Sequence, residues 1–276
     1  PAHGAGSACG KALGAVPEST VGYELRNNLS ISAADNQENF VDFILQGQPE
    51  PPLYFSRMKR DNREGPPVLG TLPQPAHLDY DTFRKQTQSD DTVIIDTRSI
   101  GDYMSGHLPN SVLVPFNRSF PTAAGSYIQE DEKIYLICDH RDLKSIVESL
   151  IRIGLDDIAG YITPEAINAQ HEQGKQLEKI NIVDFKEAET LRSQDEDTEV
   201  LDVRGSSEFE EGHIPGAKNI VHTRLADSLD QLDNSKSYVV HCRMGGRAAG
   251  ACSFLKRNDY QVTFIDDFII DHLNGE

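Results

Sequence analysis

Val200-Leu201-Asp202-Val203-Arg204 repeats an earlier stretch of the same chain, Ile94-Ile95-Asp96-Thr97-Arg98. Gly106-His107-Leu108-Pro109 returns as Gly212-His213-Ile214-Pro215, and Ile134-Tyr135-Leu136-Ile137-Cys138 returns as Tyr238-Val239-Val240-His241-Cys242. Three matches in one order at nearly constant spacing identify a duplicated unit. Within each unit, short β-branched runs alternate with polar helical stretches such as Asp142 to Ile153 and Arg247 to Arg257. Apolar strands separated by helices imply an α/β fold: a parallel sheet with helices on both faces, present twice. Ligands of such sheets bind beyond the carboxyl ends of the strands, where Cys242 falls.

Around the repeat, composition narrows the function. At 276 residues the chain has room for two or three domains. A net charge of -18 argues against nucleic acid or an anionic membrane as partner. No run is long and apolar enough for a membrane span, and nothing at the start resembles a signal peptide. Four irregularly spaced cysteines, Cys9, Cys138, Cys242 and Cys252, fit free thiols in a reducing cytoplasm better than a disulfide framework. Pro1 in place of an initiating Met reads as a fragment or a processed chain. Before the repeat lie a small-residue run, His3 to Gly10, and an amphipathic helix expected near Glu38 to Leu45. Gly65 to Pro75, rich in Pro and Gly, reads as an extended linker, and a weaker boundary falls near Gln170 to Lys175. The expected parts are 1-75, 76-172 and 173-276.

The chemistry concentrates in Cys242-Arg243-Met244-Gly245-Gly246-Arg247. A strand, a Gly-bearing loop led by cysteine, and a helix form an anion cradle from loop amides and a helix N-terminus. Such a setting favours the thiolate, the reactive form of a thiol. Gly245 and Gly246 suit a loop that curls its N–H groups inward, which tends to need positive φ. A buried structural thiol is the plain alternative for Cys242, but it needs neither the glycines nor the arginines. Cys252, ten residues on, reads as helix packing rather than a resolving thiol, and His241 as the last strand residue, facing away from its neighbour.

Asp202-Val203-Arg204, Glu208, Gly212-His213-Ile214-Pro215-Gly216-Ala217 and the Cys242 loop together resemble a rhodanese domain. The resemblance runs from about residue 76 to the end as two copies. It implies a sulfurtransferase in which Cys242 attacks a sulfane sulfur, holds it as a persulfide and passes it to a thiophilic acceptor. Arg243 and Arg247 would then bind the departing sulfite or the anionic end of the donor. The amides of Met244, Gly245, Gly246 and Arg247 would stabilise thiolate and persulfide. Asp202, Arg204 and Glu208 take supporting roles in the charge network beneath the loop, and His213 with Pro215 and Gly216 shapes a turn. No cofactor is needed for that reaction. Partners would be small anionic sulfur donors and thiol acceptors, with self-association of the chain left open. Two rival readings stand beside it. A cysteine phosphatase places five residues between Cys and Arg, whereas here four intervene. A non-catalytic scaffold or redox sensor needs a reactive thiol but no substrate arginines.

The first copy departs from the rhodanese pattern. Its loop, Cys138-Asp139-His140-Arg141-Asp142-Leu143-Lys144, has no glycine, and Leu143 replaces the final arginine. Asp139 and Asp142 would raise the Cys138 pKa and repel anionic donors, so this copy reads as inactive. A metal site built on Cys138, Asp139 and His140 is disfavoured, because adjacent residues rarely converge on one ion. In the second copy, Ala248 replaces a hydroxyl residue, and Asp266-Asp267 stands where the family often has a Gly pair near the mouth. That added charge turns preference away from thiosulfate. Finally, Pro1 to Gly10 and Phe55 to Arg60 resemble the tail of a metallo-β-lactamase-fold hydrolase, whose superfamily includes persulfide dioxygenases fused to rhodaneses. The resemblance implies Fe(II) only in a full-length parent. Here His3 is at most a weak metal-site candidate, with Cys9 near the metal, and the motif His-x-His-x-Asp-His is missing.

Overall fold

The computed structural model describes residues 18–48, 50–172 and 177–275. The repeat folds as two sheets of five strands. The first contains β1 (Ala76–His77), β2 (Thr92–Asp96), β3 (Ser111–Leu113), β4 (Lys133–Ile137) and β5 (Ile158–Ile162), in the order β1-β5-β4-β2-β3. The second contains β6 (Asn181–Val183), β7 (Thr198–Asp202), β8 (Lys218–Asn219), β9 (Ser237–His241) and β10 (Gln261–Ile265), in the order β6-β10-β9-β7-β8. Every strand pairing in both sheets is parallel, and the second order copies the first position by position. β2 is buried along its whole length, as expected for a strand covered on both faces.

The shared Asp-x-Arg element has the same job in each copy. At the end of β2, Arg98 Nη2 donates to Asp96 at 2.7 Å and to the Gly106 carbonyl at 3.0 Å. At the end of β7, Arg204 Nη2 donates to Asp202 at 2.6 Å and to the Gly212 carbonyl at 2.7 Å. Both carboxylates are sealed from solvent. Each pair ties a strand end to the close of the short helix that follows it, Ile100–Ser105 or Ser206–Glu211. Its presence in both copies marks it as architecture.

The two copies share one interior. A continuous apolar cluster runs from Val93, Ile95 and Leu136 of the first sheet to Leu201, Val240 and Phe254 of the second, and both Cys138 and Cys242 belong to it. The Gly246–Arg257 helix lies in that contact and is buried from Ala248 to Leu255. Its run of small residues follows from this position. A Cβ on Gly250 would stand 3.3 Å from the Leu113 carbonyl and 3.4 Å from the Tyr127 ring. Across the same contact, the Leu113 N–H donates to Ser253 Oγ at 2.8 Å, so the helix covers the β3 edge of the first sheet.

Upstream, the expected helix appears as Gln37–Leu45, and it and the preceding helices Val21–Asn27 and Leu29–Ser32 bury none of their residues. The Tyr54–Glu64 helix, by contrast, docks on the first copy. Arg57 Nε donates to the Ile153 carbonyl at 2.8 Å, and Arg60 pairs with Glu130 at 2.6 Å. Glu50 accepts from the Ser206 N–H at 3.2 Å, so residues 50 to 64 touch both copies. Residues 65–75 form the extended linker, without helix or strand. Among the described residues, no helix is long and apolar enough to cross a membrane.

Burial of His107 gives a pH-dependent contribution to stability. Its Nδ1–H donates to the Tyr103 carbonyl at 3.1 Å and its Nε2 is sealed without a partner. Burial lowers its pKa from 6.5 to about 4. The unfolded chain therefore takes up a proton that the folded one refuses. Stability is full above about pH 6.5 and falls as pH drops toward 4, with His222 and His241 shifted in the same direction. Urea midpoints measured across that range should decline, and His107→Phe should flatten part of the decline.

Candidate functional site

β9 ends at His241, and the chain turns at once into the Cys242 loop and the Gly246–Arg257 helix. Strand alternation sends the two neighbours to opposite faces. Cys242 enters the shared core and is 2% exposed, whereas His241 packs against Phe185 on the outer face. His241 Nε2 lies 3.6 Å from Asp202, and burial lowers its pKa, so the ring is held neutral away from the thiol. Cys138, Cys242 and Cys252 are all unpaired.

The structure separates the two glycines that the sequence treats alike. Gly245 adopts φ 84°, while Gly246 is the first residue of the helix and has open space around it. Only Gly245 therefore needs glycine for its backbone. A Cβ there would stand 2.6 Å from Asp266 Oδ1 and 3.2 Å from Phe264 Cζ. Gly245→Ala is expected to cost about 1–2 kcal/mol in backbone strain alone, and it displaces Asp266 as well. Gly246→Ala should be tolerated. Denaturation midpoints of the two variants check the contrast.

Arg247 is not a free anion fork. It binds Glu208 through both terminal nitrogens, Nη1 to Oε2 at 2.5 Å and Nη2 to Oε1 at 2.8 Å. Glu208 sits in the first turn of the Ser206–Glu211 helix and also accepts from the Gly205 N–H at 3.2 Å. Glu208 is held below the usual carboxylate range chiefly by Arg247. Burial opposes the charge on Arg247, but Glu208 and the neighbouring Cys242 outweigh it and raise its pKa. Glu208 is thus a direct partner of Arg247 within the charge network beneath the loop. Arg243 and Met244 are exposed, and Arg243 makes no ion pair among the described residues. Asp266 overhangs the loop at Gly245, whereas Asp267 turns away to accept from the Phe185 N–H at 3.4 Å.

Two groups at this site left no signal in the sequence. Tyr127, at the end of the Phe120–Tyr127 helix of the first copy, reaches across the contact, and its hydroxyl lies 3.4 Å from His222 Nδ1. Its ring stacks on Phe254 of the Gly246–Arg257 helix at 5.1 Å. His222 stands at the carboxyl edge of the second sheet, its N–H donating to the Val203 carbonyl at 3.1 Å. Cys252 is fully buried beneath the site, and burial pushes its pKa well above the ordinary thiol value.

The equivalent loop of the first copy is built differently. Asp139 accepts from the Arg141 N–H at 2.9 Å and from its guanidinium, so the loop closes on itself. No residue from 138 to 144 has positive φ. Burial pushes Cys138 up to about 12, with Asp142, Asp139 and Asp96 adding to the shift. Burial is the larger cause, ahead of the two loop carboxylates the sequence points to. His3 and Cys9 lie outside the described residues. Among those described, no group of three or more His, Cys, Asp or Glu residues could hold a metal ion.

Comparison with known proteins agrees with the duplicated architecture. The rhodanese-like domain model matches residues 79–164 and again 184–269. A Bacillus subtilis (strain 168) protein provisionally named a sulfurtransferase, YtwF, is 32% identical over 72 residues, covering 26% of this chain and 70% of its own length. The tRNA sulfurtransferase of Thermoplasma acidophilum is 34% identical over 73 residues, which span 25% of this chain but only 15% of that protein. A crystal structure titled metallo-beta-lactamase, from Staphylococcus aureus subsp. aureus COL, is similar at a TM-score of 0.50 and 35% identity, covering 59% of this chain and 43% of that one. With more than half of its length matched by one domain type in two tandem segments, the chain belongs to the rhodanese-like domain family.

Proposed function

We propose that this chain is a sulfurtransferase that moves sulfane sulfur from thiosulfate or a low-molecular-weight persulfide to a thiol or cyanide through a persulfide on Cys242. The observation that carries the reading is the contrast between two loops at equivalent strand ends. Cys242 is followed by Gly245 at positive φ and by Arg247, whose charge acts on the thiol. The Cys138 loop also leads into a helix, but it has no positive-φ residue, carries Leu143 in place of the arginine, and holds its cysteine as a neutral thiol. In the forward step the Cys242 thiolate attacks the outer sulfur of thiosulfate. A new S–S bond forms, the old one breaks, and sulfite leaves with the bonding pair. In this reading the loop amides of Met244 to Arg247 and the helix N-terminus stabilise the resulting persulfide anion. In the return step an acceptor nucleophile takes the terminal sulfur and the Cys242 thiolate is restored.

The parts of the chain under this reading are 1-75, an inactive copy at 76-172 and an active one at 173-276, acting in a reducing, cytoplasmic setting. The further reading is a fusion with a persulfide dioxygenase. Its support is the likeness, at 35% identity, to the Staphylococcus aureus structure titled metallo-beta-lactamase, of which this chain covers 43%. Under it, Fe(II) would belong to a full-length parent, and His3 and Cys9 lie outside the described residues. The test is incubation of the intact chain with thiosulfate and separately with glutathione persulfide, followed by mass analysis of the peptides. One added sulfur atom on Cys242 is expected. A chain that gains none from either donor overturns the proposal.

A further inference from the structure

Beside the loop amides and the exposed Arg243, the sulfur-transfer reading leaves few uncommitted side-chain donors for an oxyanion. Both terminal nitrogens of Arg247 are taken by Glu208, and Asp266 places another carboxylate over the loop. An anionic sulfur donor therefore needs a donor group that is not already neutralised. His222 is such a group. Its Nδ1 faces the Tyr127 hydroxyl, which has no other hydrogen-bond partner among the described residues. The arrangement that leaves the phenol proton with an acceptor is the one in which the hydroxyl donates and Nδ1 accepts. The imidazole proton must then sit on Nε2. That atom bonds no described residue, yet it is absent from the sealed, unpartnered atoms that include Nε2 of His107 and His241. Nε2 is thus unpartnered and not fully sealed. Burial, with the nearby Arg247 charge, lowers the His222 pKa to about 4, which keeps the ring neutral.

Resting on the sulfur-transfer reading, we propose that His222 is a substrate-facing hydrogen-bond donor of the Cys242 site, fixed in its Nε2–H tautomer by Tyr127 from the first copy. It binds an oxygen of thiosulfate or of departing sulfite. The inactive copy thereby acts in recognition through one phenol, without contributing a nucleophile. His222 discriminates between donors: thiosulfate and sulfite carry oxygens that Nε2–H can bind, whereas the sulfane end of an alkyl persulfide has none.

The test compares the parent chain with Tyr127→Phe, His222→Leu and His222→Gln. Tyr127→Phe keeps the ring that stacks on Phe254 and removes only the hydroxyl. The KM for thiosulfate is expected to rise about fivefold in Tyr127→Phe and His222→Leu, the equivalent of about 1 kcal/mol. The KM for glutathione persulfide should stay unchanged, and His222→Gln, which restores a terminal N–H, should recover most of the loss. A KM unchanged for thiosulfate, or raised equally for both donors, overturns the proposal. Two readouts need no turnover: 15N shifts of the His222 ring, and sulfite binding by calorimetry. An Nε2–H ring in the parent, with sulfite binding weakened by Tyr127→Phe, supports the proposal even if no sulfur moves. An Nδ1–H ring overturns it even if sulfur transfer is rapid.

Discussion

Cys242→Ser is expected to reduce sulfur transfer from thiosulfate to cyanide by on the order of a thousandfold or more, while Cys138→Ser stays within about twofold of the parent. The asymmetry follows from what surrounds two cysteines at matching strand ends. At Cys242 the chain supplies a positive-φ glycine and an arginine whose charge acts on the thiol. At Cys138 it supplies burial and three carboxylates, and the pKa rises to about 12. A thiol held so far above neutral pH presents almost no thiolate to a sulfur donor. Serine at position 242 nearly preserves the shape and removes the polarisable nucleophile, so the buried loop should keep its fold. Comparable loss in both variants would point to packing damage. Transfer that survives Cys242→Ser would favour a scaffold or redox sensor over an enzyme.

The largest loss of stability is expected from Asp202→Ala, about 3–5 kcal/mol, because it strands Arg204 in the interior without its counter-charge. Asp202 is fully sealed and the Arg204 side chain only 6% exposed, so water cannot make good the loss. For a unit of this size that lowers the melting temperature by roughly 10 °C. Asp96→Ala, which breaks the matching pair with Arg98, should cost a similar amount. The two variants should differ in activity. Arg204 also holds the Gly212 carbonyl at the end of the helix that carries Glu208, so Asp202→Ala disturbs the partner of Arg247 as well. Glu130→Ala, which breaks the exposed pair with Arg60, is the control and should change the melting temperature little.

Much of this was legible in sequence because it is local or repeated. The Asp-x-Arg pairs, the strands and the cysteine loop recur at fixed spacing, and each is built from residues a few positions apart. The helix expected from Arg247 to Arg257 differs from the observed one by a single residue at its start. The two glycines were harder to separate, since only the backbone shows that Gly245 turns left-handed while Gly246 already lies in a helix. The contacts that tune the site were not legible. Arg247 with Glu208, and Tyr127 with His222, join residues far apart in the chain, and nothing in either neighbourhood names its partner. The shared interior was hidden for the same reason. The small-residue run from Ala248 to Ser253 reads equally well as a helix packed on its own sheet, and only the Leu113 and Tyr127 contacts show that it meets another.

The cover over β3 limits how this duplicated protein can change. Ser253 and Gly250 lie against β3, an edge strand of the first sheet, so that edge is closed by a helix of the second copy. Cut apart, the first copy would expose main-chain groups able to recruit a stranger's strand, and the second would bare an apolar helix. Each copy therefore serves as part of the other's wall, so separating them would cost both.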